Sequence, residues 1–67
     1  MKTIESSTIK EIDYIESENT LIVEFKRSGT YEYFDVPRSV YMALMTAPSK
    51  GLYLSKYIKN SFLFEKV

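Results

Sequence analysis

The residues best suited to chemistry in this sequence are tyrosines and basic side chains in its central and C-terminal parts. Tyrosine rings stack on nucleobases, and arginine or lysine side chains neutralise phosphate. Arg38 follows Pro37, a residue that suits the first turn of a helix, where backbone amides also attract anions. The candidate ligand-binding residues are Tyr31, Tyr33, Arg38, Lys50, Lys56 and Lys59. Together they favour non-covalent binding of a nucleotide-type ligand.

Each candidate also has a purely structural interpretation. Tyr31 and Tyr33 occupy alternate positions of a predicted strand, and we favour their facing the helices as core, with hydroxyls reaching the rim. Arg38 is also placed to pair with Asp35 or Glu32, an interaction worth little at a surface. The stronger functional expectation therefore falls on Arg38 and the lysines that follow it.

Catalysis is not expected. The sequence has no histidine and no cysteine, so thiol nucleophiles, histidine acid–base chemistry and zinc-finger sites are excluded. The remaining candidates, Asp13, Glu32, Asp35 and the lysines, have no spacing that predictably brings two carboxylates together, or a nucleophile beside a base. We expect no catalytic residue, no metal and no cofactor.

The charges divide the chain into two halves. Nine basic and nine acidic residues give a formal net charge of zero. Four basic and eight acidic residues precede Pro37, whereas five basic residues and one acidic residue lie beyond it. The basic half offers a patch for an anion, or it pairs with the acidic half of another copy, or the charges only maintain solubility. Zero net charge disfavours tight binding to long nucleic acids.

The chain is expected to be a soluble cytoplasmic protein that does not bind membranes. It begins with no apolar run typical of a signal peptide, and no stretch approaches the ~20 apolar residues of a membrane span. Its six tyrosines and four phenylalanines exceed what so small a core readily buries. We therefore expect a homo-oligomer in which any enclosed site for a nucleotide or RNA lies between subunits.

Three strands of an antiparallel meander are predicted. The alternation over Thr8–Glu16 is imperfect, which indicates either a bulge or a strand covered on both faces. Thr20–Arg27 is the clearest strand, and a turn at Ser28-Gly29 leads into Thr30–Phe34. Residues 1–7 show little periodicity and are expected to form a flexible N-terminus.

Two short helices and a closing strand follow. Apolar residues recur at helical spacing from Pro37 to Ala47, Pro48 ends that helix, and Ser49 is a suitable N-cap for a second. The second helix should bury Gly51, Leu54 and Ile58, and the terminal residues 62–67 alternate again as a strand. The expected fold is α+β: a three-stranded antiparallel meander, two short helices and a short C-terminal strand, forming one domain over residues 8–67.

The order and spacing of these residues resemble the KTSC domain. The resemblance rests on Ser6-Ser7, Ile9, Tyr14, Leu21-x-Val23-x-Phe25, Tyr31-x-Tyr33, Val36-Pro37, Tyr41, Ala47-x-Ser49-x-Gly51, Ile58-Lys59 and Phe62-x-Phe64. It implies a domain found both as a C-terminal extension of some lysyl-tRNA synthetases and as short free-standing bacterial and phage proteins. RNA binding is the implied function, and an interaction module without a small ligand is the alternative.

Overall fold

A five-stranded antiparallel sheet forms the frame of the protein in a computed structural model, which describes residues 2–3 and 7–67. The strands follow one another in the sheet in chain order. They are β1 (Lys2–Thr3), β2 (Ile9–Ile15), β3 (Thr20–Phe25), β4 (Gly29–Tyr33) and β5 (Phe64–Lys66). The predicted three-stranded meander is confirmed as β2–β4, and the predicted C-terminal strand is confirmed as β5, paired with β4.

The short edge strand β1 is not predicted from the sequence, because two residues are too few to show a period. Lys2 pairs with Ile12 and Thr3 pairs with Glu11. The flexibility predicted for residues 1–7 falls mainly on residue 1 and residues 4–6, which lie outside the described residues. It stays a prediction.

A bulge in β2 explains the imperfect alternation of that strand. The register against β3 shifts between Ile9 and Glu11, so Ile9 and Ile12 both point into the core although three positions separate them. Both side chains are fully buried. Of the two interpretations of this segment, the bulge is therefore correct.

Two helices pack on one face of the sheet. Helix α1 spans Arg38–Thr46, and α2 (Lys50–Tyr53) continues into a π-helical turn over Leu54–Ile58. Ser49 caps α2 as predicted, because its hydroxyl accepts a hydrogen bond from the Leu52 amide. Among the described residues, no helix is long and apolar enough to cross a membrane.

The core lies between these helices and the sheet. It is built from buried apolar residues of three strands, the β4–α1 connection and both helices. They are Ile9, Ile12, Leu21, Val23, Tyr33, Val36, Leu44, Leu54 and Ile58. Two of the three residues predicted for the buried face of the second helix are among them, whereas Gly51 is only half-buried.

Tyr14 fastens the connection between the sheet and α1. Its hydroxyl donates a hydrogen bond of 2.7 Å to the Val36 carbonyl oxygen, and the Val36 amide donates to the Asn19 carbonyl at 2.8 Å. The Tyr14 ring also stacks on Tyr41, with centroids 4.7 Å apart and planes within 9°. These contacts fix where α1 begins and how it approaches the sheet.

The face of the sheet opposite the helices is acidic. Its side chains alternate with the core residues along each strand, and they include Glu11, Asp13, Glu24, Glu32 and Glu65. Glu11 lies directly opposite Glu24, and Glu32 lies opposite Glu65, so like charges face one another across neighbouring strands. Four of these five carboxylates come from the acidic half of the sequence, which thus supplies most of this acidic surface.

Candidate ligand-binding cleft

A cleft of about 610 Å³ opens between the sheet and the second helix. Its walls come from β3, β4 and the turn between them, from β5, from the segment before β2, and from the second helix with the residue that follows it, Lys59. This volume lies within the range of small-molecule sites, roughly 300–1,000 Å³. A single chain therefore forms an open cleft of site size. The expectation that an enclosed site would lie between subunits stays a prediction.

The sheet side of the cleft is aromatic. Tyr31 and Tyr33 pair with Val23 and Leu21 across β3 and β4, so all four side chains share the helix-facing side of the sheet. Tyr33 is 2% exposed and belongs to the core. Tyr31 is only half-buried. Both tyrosines thus face the helices, as the structural interpretation predicts, and both also line the cleft.

Two phenylalanines extend this wall on either side of the tyrosines. The Phe25 ring meets Tyr31 edge-on, with centroids 5.5 Å apart and planes at 82°. Phe64 lies 5.7 Å from Tyr31 and 5.6 Å from Tyr33. We call Phe25, Tyr31, Tyr33 and Phe64 the aromatic wall. Its rings offer the kind of π surface on which nucleobases stack.

Burial raises the pKa of Tyr33 above its ordinary value of 10.0, with a smaller contribution from the neighbouring Tyr31 phenol group. The Tyr33 hydroxyl is therefore protonated at neutral pH. It offers the cleft a neutral hydroxyl and not a negative charge.

The charged residues that line the cleft are Arg27 and Lys59. Arg27 lies in the β3–β4 turn, and Lys59 follows the π-helical turn. Among the described residues that line the cleft, none is acidic. Hydroxyl groups of Ser7, Thr8, Ser28 and Ser55 complete its polar lining. Such a lining suits an anion better than a cation.

The β3–β4 turn brings the first of these cations into place. Gly29 has a φ of +91°, which glycine adopts without strain, and it pairs with Phe25 directly after the turn. The Lys26 amide donates a 2.9 Å hydrogen bond to the Thr8 carbonyl oxygen. This bond holds the segment before β2 against the turn, and Ser7, Thr8 and Arg27 all line the cleft.

The π-helical turn forms the opposite side of the cleft. Its hydrogen bond runs from the Lys59 amide to the Leu54 carbonyl oxygen, five residues back, at 2.8 Å. The turn keeps Leu54 and Ile58 buried while Ser55 and Lys59 reach the cleft. Turns of this kind often occur at functional sites.

The structure brings three of the six predicted ligand-binding residues together: Tyr31, Tyr33 and Lys59 line the cleft. Lys56 instead lines a separate groove of about 260 Å³, beside Tyr53 and Tyr57. The Lys50 ammonium donates to the Ala47 carbonyl oxygen at 3.3 Å.

Arg38 does not line the cleft. Its Nε is 3.3 Å from a carboxylate oxygen of Glu16, and both side chains are exposed. Glu16 follows the last residue of β2, at the opposite end of that strand from Ser7 and Thr8, which line the cleft. Arg38 therefore forms an ion pair, but its partner is Glu16 and not Asp35 or Glu32, the two partners considered from the sequence.

Arg27 is a cleft residue that sequence reasoning missed. The predicted strand Thr20–Arg27 includes it as the last residue. Its position just before Ser28-Gly29 is the one sequence feature that indicates a place in the hairpin turn. Nothing local in the sequence indicates that this turn meets the second helix, because that contact depends on how the helices dock.

The arrangement is chemically suited to binding. The aromatic wall offers stacking surface, Arg27 and Lys59 offer charge, and the hydroxyls offer hydrogen bonds. Among the described residues, no group of three or more acidic side chains comes together as a candidate metal site.

A five-stranded antiparallel sheet with two short helices on one face places the protein in the class of small α+β domains. Within that class, the family model of the KTSC domain matches residues 5–62, and the chain belongs to this family. The resemblance noted from the sequence is thereby confirmed.

Comparisons with individual proteins agree. The chain is 46% identical over 63 residues to the lysine–tRNA ligase of Nostoc punctiforme, a match that covers 94% of this chain and 11% of that enzyme. It is 34% identical to a protein of Tsukamurella paurometabola, with 92% of each chain covered. A crystal structure of a KTSC domain protein from Yersinia pestis superposes with a TM-score of 0.97 at 35% identity, covering 98% of this chain and 93% of that one. The chain thus spans about a ninth of the matched ligase and nearly all of the two small proteins.

Proposed function

We propose that this KTSC domain is a non-catalytic binding protein for a nucleotide-type ligand, either a short RNA segment or a free nucleotide. The ligand's base stacks against the exposed part of the aromatic wall, and its phosphate lies between Arg27 and Lys59. The observation that carries the proposal is the presence of aromatic rings and two cations in one cleft of about 610 Å³.

The exposure of the rings supports stacking. Phe64 is 48% exposed and Tyr31 is half-buried, so both present ring surface to a ligand, whereas Tyr33 supports them from below. Stacking of a base on an aromatic side chain contributes about 1–3 kcal/mol. Charge-assisted hydrogen bonds to the phosphate add to this and make binding depend on salt.

The similarity to lysine–tRNA ligases supports RNA as one source of the ligand, since those relatives are named for a tRNA substrate. The acidic face of the sheet argues against wrapping of a long polyanion. A short or terminal segment, encountered in the cytoplasm, is therefore the form of RNA that we propose.

Isothermal titration calorimetry with the four nucleoside monophosphates and a hexameric RNA tests this function. We expect saturable binding, and we expect Arg27→Ala and Lys59→Ala each to weaken it by about 10-fold or more, as loss of a charge-assisted hydrogen bond does. Arg38→Ala is the matched control and should bind like the original protein, because Arg38 pairs with Glu16 elsewhere. Absence of binding to every probe would contradict the proposal.

A second candidate function, a protein-interaction module that self-associates, is favoured by a separate surface. Leu52 and Tyr57 are 58% and 55% exposed and line the smaller groove, where the Tyr57 ring lies 4.8 Å from Tyr53. Static light scattering at tens of micromolar tests self-association directly. A dimer or larger mass that Leu52→Glu reduces supports this interface, and a monomer at all concentrations contradicts it.

A further inference from the structure

We infer that the cleft accepts one phosphorylated nucleoside at a time, either free or at the end of a strand, and does not bind a run of nucleotides. This inference rests on the proposed function and specifies the size of its ligand. The reasons are the distribution of cations around the cleft and the acidic face behind it.

Few cations border the cleft. Arg27 and Lys59 line it, and the stem of Lys66 passes close to Gly29, where an added Cβ would lie 3.3 Å from Lys66 Cε. Arg27 and Lys66 lie at the start of β4, and Lys59 lies on the helical side of the cleft. They are enough to neutralise the phosphates of a single nucleotide, but they do not form a line along which a strand would extend.

Four other cations among the described residues are engaged or lie elsewhere. The Lys10 ammonium is 3.8 Å from Glu24, Arg38 pairs with Glu16, and Lys50 bonds to a carbonyl oxygen. Lys56 lies in the separate smaller groove. Proteins that follow a single strand over several nucleotides do so with a continuous basic groove, and the charges placed in this way do not provide one.

The acidic face of the sheet sets a further limit. Glu11, Asp13, Glu24, Glu32 and Glu65 cover the side opposite the cleft, so a strand leaving the cleft around the sheet edge meets carboxylates. Phosphates are repelled there. Added nucleotides therefore bring little further attraction.

Calorimetry with a series of adenine ligands tests the inference: adenosine, AMP and a 5′-phosphorylated hexa-adenylate, each at several salt concentrations. We expect adenosine to bind at least 10-fold more weakly than AMP, and the hexamer to bind within about 3-fold of AMP. With two phosphate charges neutralised by Arg27 and Lys59, the slope of log K against log salt should be about −1.4 for the hexamer.

A hexamer that binds at least 10-fold more tightly than AMP, with a slope of −3 or steeper, overturns the inference but leaves the proposed function standing. Binding of no member of the series overturns both.

Two lysine variants provide a matched comparison within the second helix. Lys59→Ala should weaken AMP and the hexamer by the same factor, and Lys56→Ala should change neither. A loss confined to the hexamer in Lys56→Ala would show that a strand continues into the smaller groove, which also contradicts the inference. Circular dichroism checks that both variants are folded.

Discussion

The ring of Phe64 lies 5.6 Å from the ring of Tyr33, the residue directly paired with it across β5 and β4. All three residues of β5 are exposed, so this strand has little buried surface of its own. Besides the backbone pairing of β5 with β4, the contact with Tyr33 and a similar one with Tyr31 hold the Phe64 ring against the two tyrosines. β5 thereby adds the Phe64 ring to a cleft whose other aromatic rings come from β3 and β4.

Replacing Phe64 by alanine should weaken nucleotide binding more than it weakens the fold. Because the ring is 48% exposed, we expect the free energy of unfolding to fall by no more than about 2 kcal/mol. The affinity for AMP should fall by about 5- to 100-fold, since one stacking surface is lost. Urea unfolding and calorimetry measure the two effects.

Leu63→Ala is the control for this variant. Leu63 precedes Phe64 in the chain, is 80% exposed and does not line the cleft. It should leave the affinity unchanged. Equal losses of affinity in the two variants would mean that β5 acts only through its backbone and that the ring does not contact the ligand.

Gly51→Leu should fill the cleft. Gly51 lines it from the second helix without a side chain, so a leucine there occupies the space next to the aromatic wall. We expect stability to change little, because leucine also favours helix by about 1 kcal/mol over glycine. Binding of AMP should be abolished. Strong destabilisation would instead support the burial of Gly51 that the sequence predicts.

Most helices and strands of the fold can be predicted from local patterns in the sequence. Alternation over residues 20–25, the turn before Gly29, the proline at residue 37 and the cap at Ser49 each act within a few residues, and each predicts its element. The edge strand β1 is too short for a pattern. The π-helical turn is not distinguished by spacing, because buried Leu54 and Ile58 four residues apart also fit an α-helix.

The cleft is harder to predict, because it depends on contacts between segments distant in the chain. Tyr31, Tyr33 and Lys59 can be predicted as ligand-binding residues from their aromatic or basic side chains alone, without knowledge of the fold. Arg27 and Arg38 each lie near the end of a predicted element. The sequence does not show which element ends come together in the fold, so it does not show which arginine reaches the cleft. Arg38 pairs with Glu16 at the β2–β3 end of the sheet, whereas Arg27 lies in the β3–β4 turn at the opposite end. The cleft includes the β3–β4 turn, so Arg27 reaches it and Arg38 does not.

Tyr33 should make the protein less stable in alkali. Burial raises its pKa in the folded state above the unfolded value of 10.0, so the folded protein retains a proton that the unfolded chain loses. This contribution to stability is complete below about pH 10 and is lost as pH rises through the folded-state pKa. Urea unfolding from pH 8 to 11 should show the decline, and Tyr33→Phe should reduce it.

Tyr57→Phe controls for the general effect of removing a phenol, because Tyr57 is 55% exposed. Its alkaline decline should match that of the unchanged protein. A decline that is identical in all three proteins would mean that Tyr33 does not account for it.

Tyr14→Phe should destabilise the fold without affecting the cleft. The variant keeps the ring stacked on Tyr41 but loses the 2.7 Å hydrogen bond to Val36. We expect a loss of about 1 kcal/mol in the free energy of unfolding, measured in urea. AMP affinity should not change, because Tyr14 does not line the cleft. A large loss of affinity would show that the α1 connection and the cleft are coupled.

The most direct measurement of the central claim is a ¹⁵N-labelled NMR titration with AMP. The account predicts that the amide resonances of Arg27, Ser28, Gly51, Ser55 and Lys59 shift together with one saturating curve. Amides near the Arg38–Glu16 pair should remain in place. Shifts concentrated around Arg38, or no shifts at millimolar AMP, would contradict the assignment of the cleft as a nucleotide site.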